Sequence, residues 1–173
     1  TKQYIIGAIT DQELAVIVED LFVDDAVDML EELPANVVKR VLKNAKPNTR
    51  LLINQFLKYP ENSAGSIMTA EFVDLRKNMT VDQAIEHIRR TGEDRETIYT
   101  CYVLDERRIL EGVVTVRDLL LSADELSVKE IMDTYVIKAI TTDDREEVAK
   151  LFLKYDLLSI PIVDHENRLV GIV

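Results

Sequence analysis

Hydrophobic and polar residues in the first third of the chain alternate with the period of short amphipathic helices. Helix-length blocks of about ten residues open near Asp11, Asp24, Pro34 and Pro47, each at a capping residue or an N-terminal proline. Their predicted apolar faces are Leu14, Ile17 and Val18; Ala26, Met29 and Leu30; Val37, Val38, Val41 and Leu42; and Leu51, Leu52 and Phe56. Short helices in series, each with one apolar face, predict an α-helical superhelix. The apolar run that ends at Ile9 has no predicted partner upstream, so we expect the superhelix to be truncated at its start.

The helical period breaks at residues 59–65, where turn-forming residues predominate, and a second pattern then occurs twice. Met68 returns as Met132, 64 positions later, and Gly112 returns as Gly171, 59 positions later. Each copy has the order of a short extended lead-in, a helix, two strands joined by a polar turn, and a second helix. The duplication predicts two equivalent β-α-β-β-α repeats, and with the helical superhelix it gives an α+β fold.

Local signals place the elements within each copy. Thr80 and Gln83 have the spacing of a helix capping box, and Asp144 and Glu147 repeat it. Segments rich in β-branched residues flank charged turns, as in hairpins. These predicted strands are residues 97–104, 109–114, 160–163 and 169–173.

The repeated element order, with the Ile67-Met68-Thr69 lead-in, resembles the CBS domain, a module that works as an intramolecular pair and binds adenine nucleotides or metal ions. In the first copy, residues 112–118 also fit the family pattern G-x-x-[ST]-x-x-D. The resemblance implies that Thr115 contacts phosphate and Asp118 contacts ribose, with Arg117 between them. Thr115 and Asp118 fit equally well as the N-cap and third residue of the next helix. The second copy stops at Val173, before this pattern is complete.

The order of helical repeat, linker and CBS pair resembles the cytosolic part of MgtE-type magnesium channels. Residues 63–69, 96–99, 146–149 and 155–156 carry this likeness, which covers essentially the whole chain. It implies a helical MgtE N-terminal-like domain at 1–62, a first CBS domain at 63–124 and a second, truncated CBS domain at 125–173. It further implies a homodimer formed through the CBS domains and a position on the cytoplasmic face of a cell membrane. The partner there would be the protein's own transmembrane pore domain, which this chain lacks.

Acidic residues of the helical domain and of the CBS pair share Mg²⁺ ions in the MgtE family, and those ions lock the pore. The matching residues here are Asp24, Asp28, Asp144, Glu146 and Asp156. Asp24 and Asp28 are four residues apart, so they share a helix face. Like charges in that arrangement repel by a few tenths of a kcal/mol, roughly, unless a cation lies between them.

Each of these acidic residues has a structural alternative. Asp24 and Asp144 lie where N-caps belong, Asp28 can simply face water, and Glu146 in a first turn complements the helix dipole. Asp156 lies at the end of a helix, where the dipole disfavours negative charge. A cation or a partner therefore accounts for Asp156 better than a capping role does, with plain solvation as the alternative.

Net charge narrows the class of ligand. A charge of −11 repels nucleic acid and anionic lipid and attracts cations, so we expect no nucleic-acid partner. Mg²⁺ suits such a surface because it prefers oxygen ligands and keeps several waters. His87 and His165 lie in different predicted elements, which argues against zinc. Thr100 and Leu157 occupy positions where ATP-binding relatives can carry an aromatic residue, so we expect weak ATP binding or none.

These observations favour a magnesium-sensing regulatory region of a magnesium transporter or channel, in which Mg²⁺ bridges the helical and CBS domains. The chain shows no P-loop and no nucleophile elbow, so we do not expect an enzyme. Cys101 lies in a predicted central strand without a partner cysteine and is expected to be buried and inert. The alternatives are an adenine-nucleotide-sensing CBS module of another transporter or enzyme, and a scaffold that dimerises without a ligand.

Overall fold

A computed structural model describes residues 9–173, and the apolar run predicted before Ile9 lies outside the described residues. The chain forms two compact units, which divide between Tyr59 and Pro60. The first unit is helical, and the second combines helices with two small mixed sheets, so the predicted α+β class is confirmed. Within the described range, no helix has the length and apolar character needed to span a bilayer.

The first unit contains four short helices in its described part: α1 (Asp11–Asp20), α2 (Val23–Glu31), α3 (Ala35–Asn44) and α4 (Pro47–Phe56). Helix α1 packs against α3, and α2 packs against α4, which is the stacking expected of helices in series. Their buried apolar residues include Leu14, Val18, Ala26, Leu30, Val41, Leu42, Ile53 and Phe56. Two of the predicted core positions are wrong, because Ile17 is 38% exposed and Leu51 is 73% exposed.

The second unit contains the two repeats. The first copy comprises β1 (Phe72–Leu75), α5 (Val81–Thr91), β2 (Thr97–Leu104), β3 (Leu110–Thr115) and α6 (Val116–Leu121). The second comprises α7 (Val128–Ile131), β4 (Ala139–Ile140), α8 (Arg145–Tyr155), β5 (Pro161–Val163) and β6 (Leu169–Ile172). Each copy forms a three-stranded sheet whose middle strand pairs in parallel with the first strand and antiparallel with the last.

The lead-in of each repeat pairs with the sheet of the other repeat. The N–H of Thr69 donates to the carbonyl of Ile172 at 2.8 Å, and the N–H of Ile172 donates to Thr69 at 2.9 Å. Val113 and Asp133 exchange the same pair of bonds, at 2.9 and 2.8 Å. Each sheet therefore gains a bridge from the lead-in of the other copy, and the two repeats belong to one compact unit.

The recurring glycines, Gly112 and Gly171, and the recurring methionines, Met68 and Met132, lie where each lead-in contacts the sheet of the other repeat. A Cβ atom added at Gly171 would lie 2.7 Å from the carbonyl oxygen of Thr69 and 2.7 Å from the Sδ atom of Met68. At Gly112 the corresponding distances are 2.8 Å to the oxygen of Asp133 and 3.0 Å to Sδ of Met132. Only a residue without a side chain lets each lead-in approach the partner sheet this closely.

Strand β2 has two buried faces. Cys101 and Val103 pack with residues of α5 and α6, whereas Tyr102 and Leu104 pack with residues of the second sheet. The Tyr102 hydroxyl lies 2.7 Å from Oγ of Ser159, which ties the two copies together. Burial raises the pKa of Cys101 to about 12. The thiol is thus buried and protonated at neutral pH, as predicted.

Replacing Gly171 by alanine should destabilise the second unit by about 1–3 kcal/mol, because the new methyl group meets backbone as well as the Met68 side chain. Urea denaturation followed by circular dichroism would measure the change. Gly92→Ala is the matched control. Its Cβ meets only side-chain methyl groups, of Ile98 at 2.9 Å and Ile88 at 3.7 Å, and its backbone is already helical. Equal stability changes in the two variants would contradict the close approach at Gly171.

Candidate functional site

Asp24 and Asp28 lie on helix α2. Asp24 is half-buried in the first turn and Asp28 is exposed one turn later. The N-cap of α2 is Phe22, so the expectation that Asp24 could be an N-cap is wrong. An acidic residue in the first turn is still favoured by the helix dipole. The exposed position of Asp28 leaves its carboxylate accessible to an ion from solution.

Asp144 and Glu146 lie at the start of helix α8, and both are exposed. Asp144 is the N-cap, as its structural alternative predicted, and its Oδ1 accepts a hydrogen bond from the N–H of Glu146 at 2.7 Å. The predicted capping box with Glu147 is wrong, because the Glu147 carboxylate bonds Lys150 instead, at 2.5 Å. Capping engages one carboxylate oxygen of Asp144.

Asp156 is the C-cap of helix α8 and is exposed. Its backbone is left-handed, with φ of 52° and ψ of 48°. Aspartate tolerates this conformation better than most residues with a side chain, which gives Asp156 a structural role that the sequence pattern did not reveal. Its carboxylate nevertheless lies at the helix end where the dipole disfavours negative charge, so a cation would stabilise it.

The three acidic residues of α8 lie at opposite ends of the helix. Asp144 and Asp156 are twelve positions apart, or about 18 Å along a helix that rises 1.5 Å per residue. Two oxygens bound to one Mg²⁺ lie within about 4 Å of each other. Asp144 and Asp156 therefore cannot bind the same ion. Consistently, in the part of the chain that the structure describes, no three His, Cys, Asp or Glu side chains form a group that could hold a metal.

Lys150 is a basic residue within this acidic surface, and the sequence patterns did not single it out. Its amine binds the Glu147 carboxylate, which raises the pKa of Lys150, and the charges of Glu146 and Asp144 raise it further. The lysine thus already balances part of the negative charge at the start of α8. It would compete with a metal cation for Asp144 and Glu146. Its position one turn after Glu146 was the available signal.

The candidate nucleotide residues form a capping box. The Oγ1 atom of Thr115 accepts from the N–H of Asp118 at 3.1 Å, and Oδ2 of Asp118 accepts from the N–H of Thr115 at 3.2 Å. The structural alternative for this pair is therefore confirmed. Arg117 is exposed, and Thr100 lies directly opposite Thr115 in the β2–β3 ladder. The four residues remain on one end of the first sheet, where they could meet a ligand.

A cavity of about 520 Å³, which the sequence did not predict, lies beside the turn between β2 and β3. Its lining combines acidic and basic residues: Arg76, Lys77, Asp105, Glu106, Arg107 and Glu111. Lys77 binds Glu111 at 2.7 Å, and Arg76 donates to the carbonyl of Leu104 at 3.0 Å. Three basic and three acidic side chains line the cavity, so it offers no net charge for a ligand to match.

Comparison with known proteins gives a consistent result along the whole chain. Residues 1–62 match the family of the MgtE intracellular N domain, and residues 64–125 and 128–173 match the CBS domain. The magnesium transporter MgtE of Thermus thermophilus is 42% identical over 154 residues, which is 87% of this chain and 34% of that protein. MgtE of Bacillus subtilis is 37% identical over 150 residues, covering 87% of this chain and 33% of that protein.

Two solved structures have the same fold over nearly the whole chain. The soluble part of a magnesium transporter gives a TM-score of 0.93 at 33% identity and covers 95% of this chain and 64% of that one. The cytosolic domain of the Mg²⁺ channel MgtE in complex with ATP also gives 0.93, at 39% identity, with 99% and 71% covered. The chain spans about a third of the length of these two curated relatives.

Capping and charge at Asp144 can be separated by substitution. Asp144→Ala should cost about 1 kcal/mol of unfolding free energy because the cap is lost, whereas Asp144→Asn should cost little, because asparagine caps equally well. Thermal and urea unfolding would measure both. Comparable losses in the two variants would show that the charge, rather than the hydrogen bond to the Glu146 amide, stabilises the folded state.

Proposed function

We propose, because the chain belongs to the MgtE family, that it is the cytosolic magnesium-sensing region of a magnesium transporter or channel. In this proposal Mg²⁺ bridges the helical unit and the CBS pair, and the bridged form closes the pore of the intact protein. The observation that carries the proposal is the presence of exposed acidic residues on both units, at the positions that the family resemblance assigns.

The chemistry of these residues fits magnesium. Asp28, Asp144, Glu146 and Asp156 are exposed and offer carboxylate oxygens, which Mg²⁺ prefers to nitrogen or sulfur. One or two carboxylates with several retained waters suffice for this ion, so a site with few protein ligands is adequate. Affinity in such a site should be low. A low affinity suits a sensor of an ion that is abundant in cells.

Ion binding between two acidic surfaces explains how magnesium would change the shape of the protein. Two carboxylates about 4 Å apart repel by about 1 kcal/mol in water and by about 4 kcal/mol at an effective dielectric of 20. Mg²⁺ between them replaces this repulsion by attraction. The two units should therefore separate when magnesium is scarce and draw together when it is plentiful.

The spacing along α8 requires more than one ion. Because Asp144 and Asp156 lie about 18 Å apart, each end of the helix would bind its own magnesium. Asp24 and Asp28 of the helical unit lie one turn, or about 6 Å, apart, so they would supply opposing carboxylates to the ion at one end of α8 only. The further proposals, that the chain forms a homodimer through its CBS domains and that a pore domain is its partner, rest on the family likeness.

Neutralising Asp24 and Asp156 together should raise the magnesium concentration at which the chain compacts. Each lost ligand worth about 1 kcal/mol corresponds to about a five-fold change in affinity. Small-angle scattering during a Mg²⁺ titration at constant ionic strength would measure the midpoint for the double variant Asp24→Asn and Asp156→Asn. Asparagine also tolerates the left-handed backbone of residue 156, so folding should be retained.

The matched control removes two exposed carboxylates elsewhere, with Asp82→Asn and Glu93→Gln. It should keep the wild-type midpoint, since only the net charge changes. A double variant that compacts like the wild type would remove these positions from the proposal. A wild-type chain that responds equally to monovalent salt would argue against magnesium sensing altogether.

Removing the amine of Lys150 should lower the magnesium concentration at which the chain compacts. Lys150→Gln frees the acidic residues at the start of α8, so compaction should need about two-fold less magnesium. Lys129→Gln, on the exposed surface of α7, is the control for a lost positive charge. A midpoint that does not change, or that rises, would show that Lys150 does not compete with the ion.

Adenine-nucleotide sensing is the second candidate function. It is favoured by the shared location of Thr100, Thr115, Arg117 and Asp118, and by the relative that was solved in complex with ATP. A parallel ATP titration distinguishes the two functions. Nucleotide sensing would become the first candidate if the wild-type chain bound ATP but did not compact with magnesium, and if the Arg117→Gln variant lost ATP binding. Arg117 is the suitable position because it lies outside the capping box.

A further inference from the structure

The segment that joins the two units is attached to the start of helix α8 by backbone hydrogen bonds. The N–H of Ala64 donates to the carbonyl of Asp143 at 2.7 Å, and the N–H of Gly65 donates to Thr141 at 2.9 Å. The N–H of Arg145 donates back to Asn62 at 2.9 Å. Residues 62–65 are therefore fixed to the same short segment that carries Asp144.

The other side of the junction is fixed to helix α4. The N–H of Tyr59 donates to Phe56 at 3.0 Å, and the rings of these two residues meet edge to face at 5.8 Å. The Gln55 amide also donates to the Tyr59 hydroxyl, at 3.3 Å. Tyr59 thus ends the first unit as an ordered residue.

Little freedom remains between these two anchored points. Pro60 has a fixed φ, and it restricts the conformation of the residue before it. The carbonyl of Pro60 accepts from the N–H of Ser63 at 3.1 Å, which closes a turn with Asn62 at a positive φ of 67°. Asparagine tolerates that conformation. The torsions about the Cα–C bonds of Tyr59 and Pro60 are the main degrees of freedom left.

We propose that the Tyr59–Pro60 junction is the single hinge between the two units, and that the start of helix α8 moves as one body with the segment beyond it. This inference deepens the proposed function, because the hinge would carry the motion that magnesium drives. A short hinge with a proline keeps the acidic surfaces at high effective concentration. It lowers the entropy lost on closure.

Loosening the hinge should weaken the magnesium response without touching an acidic residue. Insertion of Gly-Gly-Ser between Tyr59 and Pro60 should raise the Mg²⁺ midpoint of compaction, and Pro60→Gly should raise it by about two- to five-fold. Small-angle scattering of the full 173-residue chain measures both. Pro34→Ala, in the turn between α2 and α3, is the matched control and should behave like the wild type.

Hydrogen exchange tests the anchoring independently of magnesium. The amides of Ala64, Gly65 and Arg145 should be protected like those of the central strand β2, with or without Mg²⁺. Exchange of these amides at the rates of an open loop would overturn the hinge. A Gly-Gly-Ser insertion variant that compacts at the wild-type magnesium concentration would also overturn the hinge. A wild-type chain that never compacts with Mg²⁺, but keeps these amides protected, would overturn the proposed function and leave the hinge standing.

Discussion

The exchange of lead-in segments between the two repeats is the constraint on which the second unit depends. Thr69 adds a bridge to the edge of the second copy's sheet and Asp133 adds one to the edge of the first copy's sheet, so the backbone of each repeat is bonded to the other. The same exchange fixes where the chain enters the unit. The lead-in of the first copy begins beside the segment that precedes helix α8, so the junction between units and the acidic start of α8 are held together by one set of backbone bonds.

The acidic residues of α8 lie at exposed positions, where a negative charge costs little free energy of folding. The proposed ligands of α8 are exposed, and Asp144 and Asp156 also have roles as the N-cap and the left-handed C-cap of the helix. A capping aspartate satisfies the helix and still presents a carboxylate to water. The acidic surface can therefore be used for ion binding without a buried, uncompensated charge, which would cost several kcal/mol in each ion-free molecule.

Element order, the duplication and most helix and strand bounds could be predicted from the sequence, because each repeat has a clear change of hydrophobic period. Strand β2 was predicted at the bounds observed. The faces of α1 and α4 were predicted less well, since Ile17 and Leu51 have apolar side chains that helical spacing alone cannot assign to core or surface. The left-handed backbone of Asp156 depends on local geometry that has no sequence signature. The pairing of Lys150 with Glu147 does have one, the i,i+3 helical spacing of opposite charges, but the site prediction did not include it. The exchange of lead-ins is a long-range pairing, which the repeat pattern alone did not indicate.

The two proposed ion positions, one at each end of α8, have a consequence for how the proposed sensor would respond. A single weak site at a ligand concentration equal to its dissociation constant stabilises the bound form by only about 0.4 kcal/mol. If both ions bound the closed form more tightly than the open form, their contributions would add, and the population would change more steeply with magnesium than either site alone allows. A stiff hinge also favours the closed form, because the free-energy cost of the entropy lost on closure opposes the small free energy of ion binding. The proposed switch thus depends together on weak sites, on repulsion between acidic residues and on a short junction. Tighter sites would keep the protein closed at all cellular magnesium concentrations. A looser junction would keep it open.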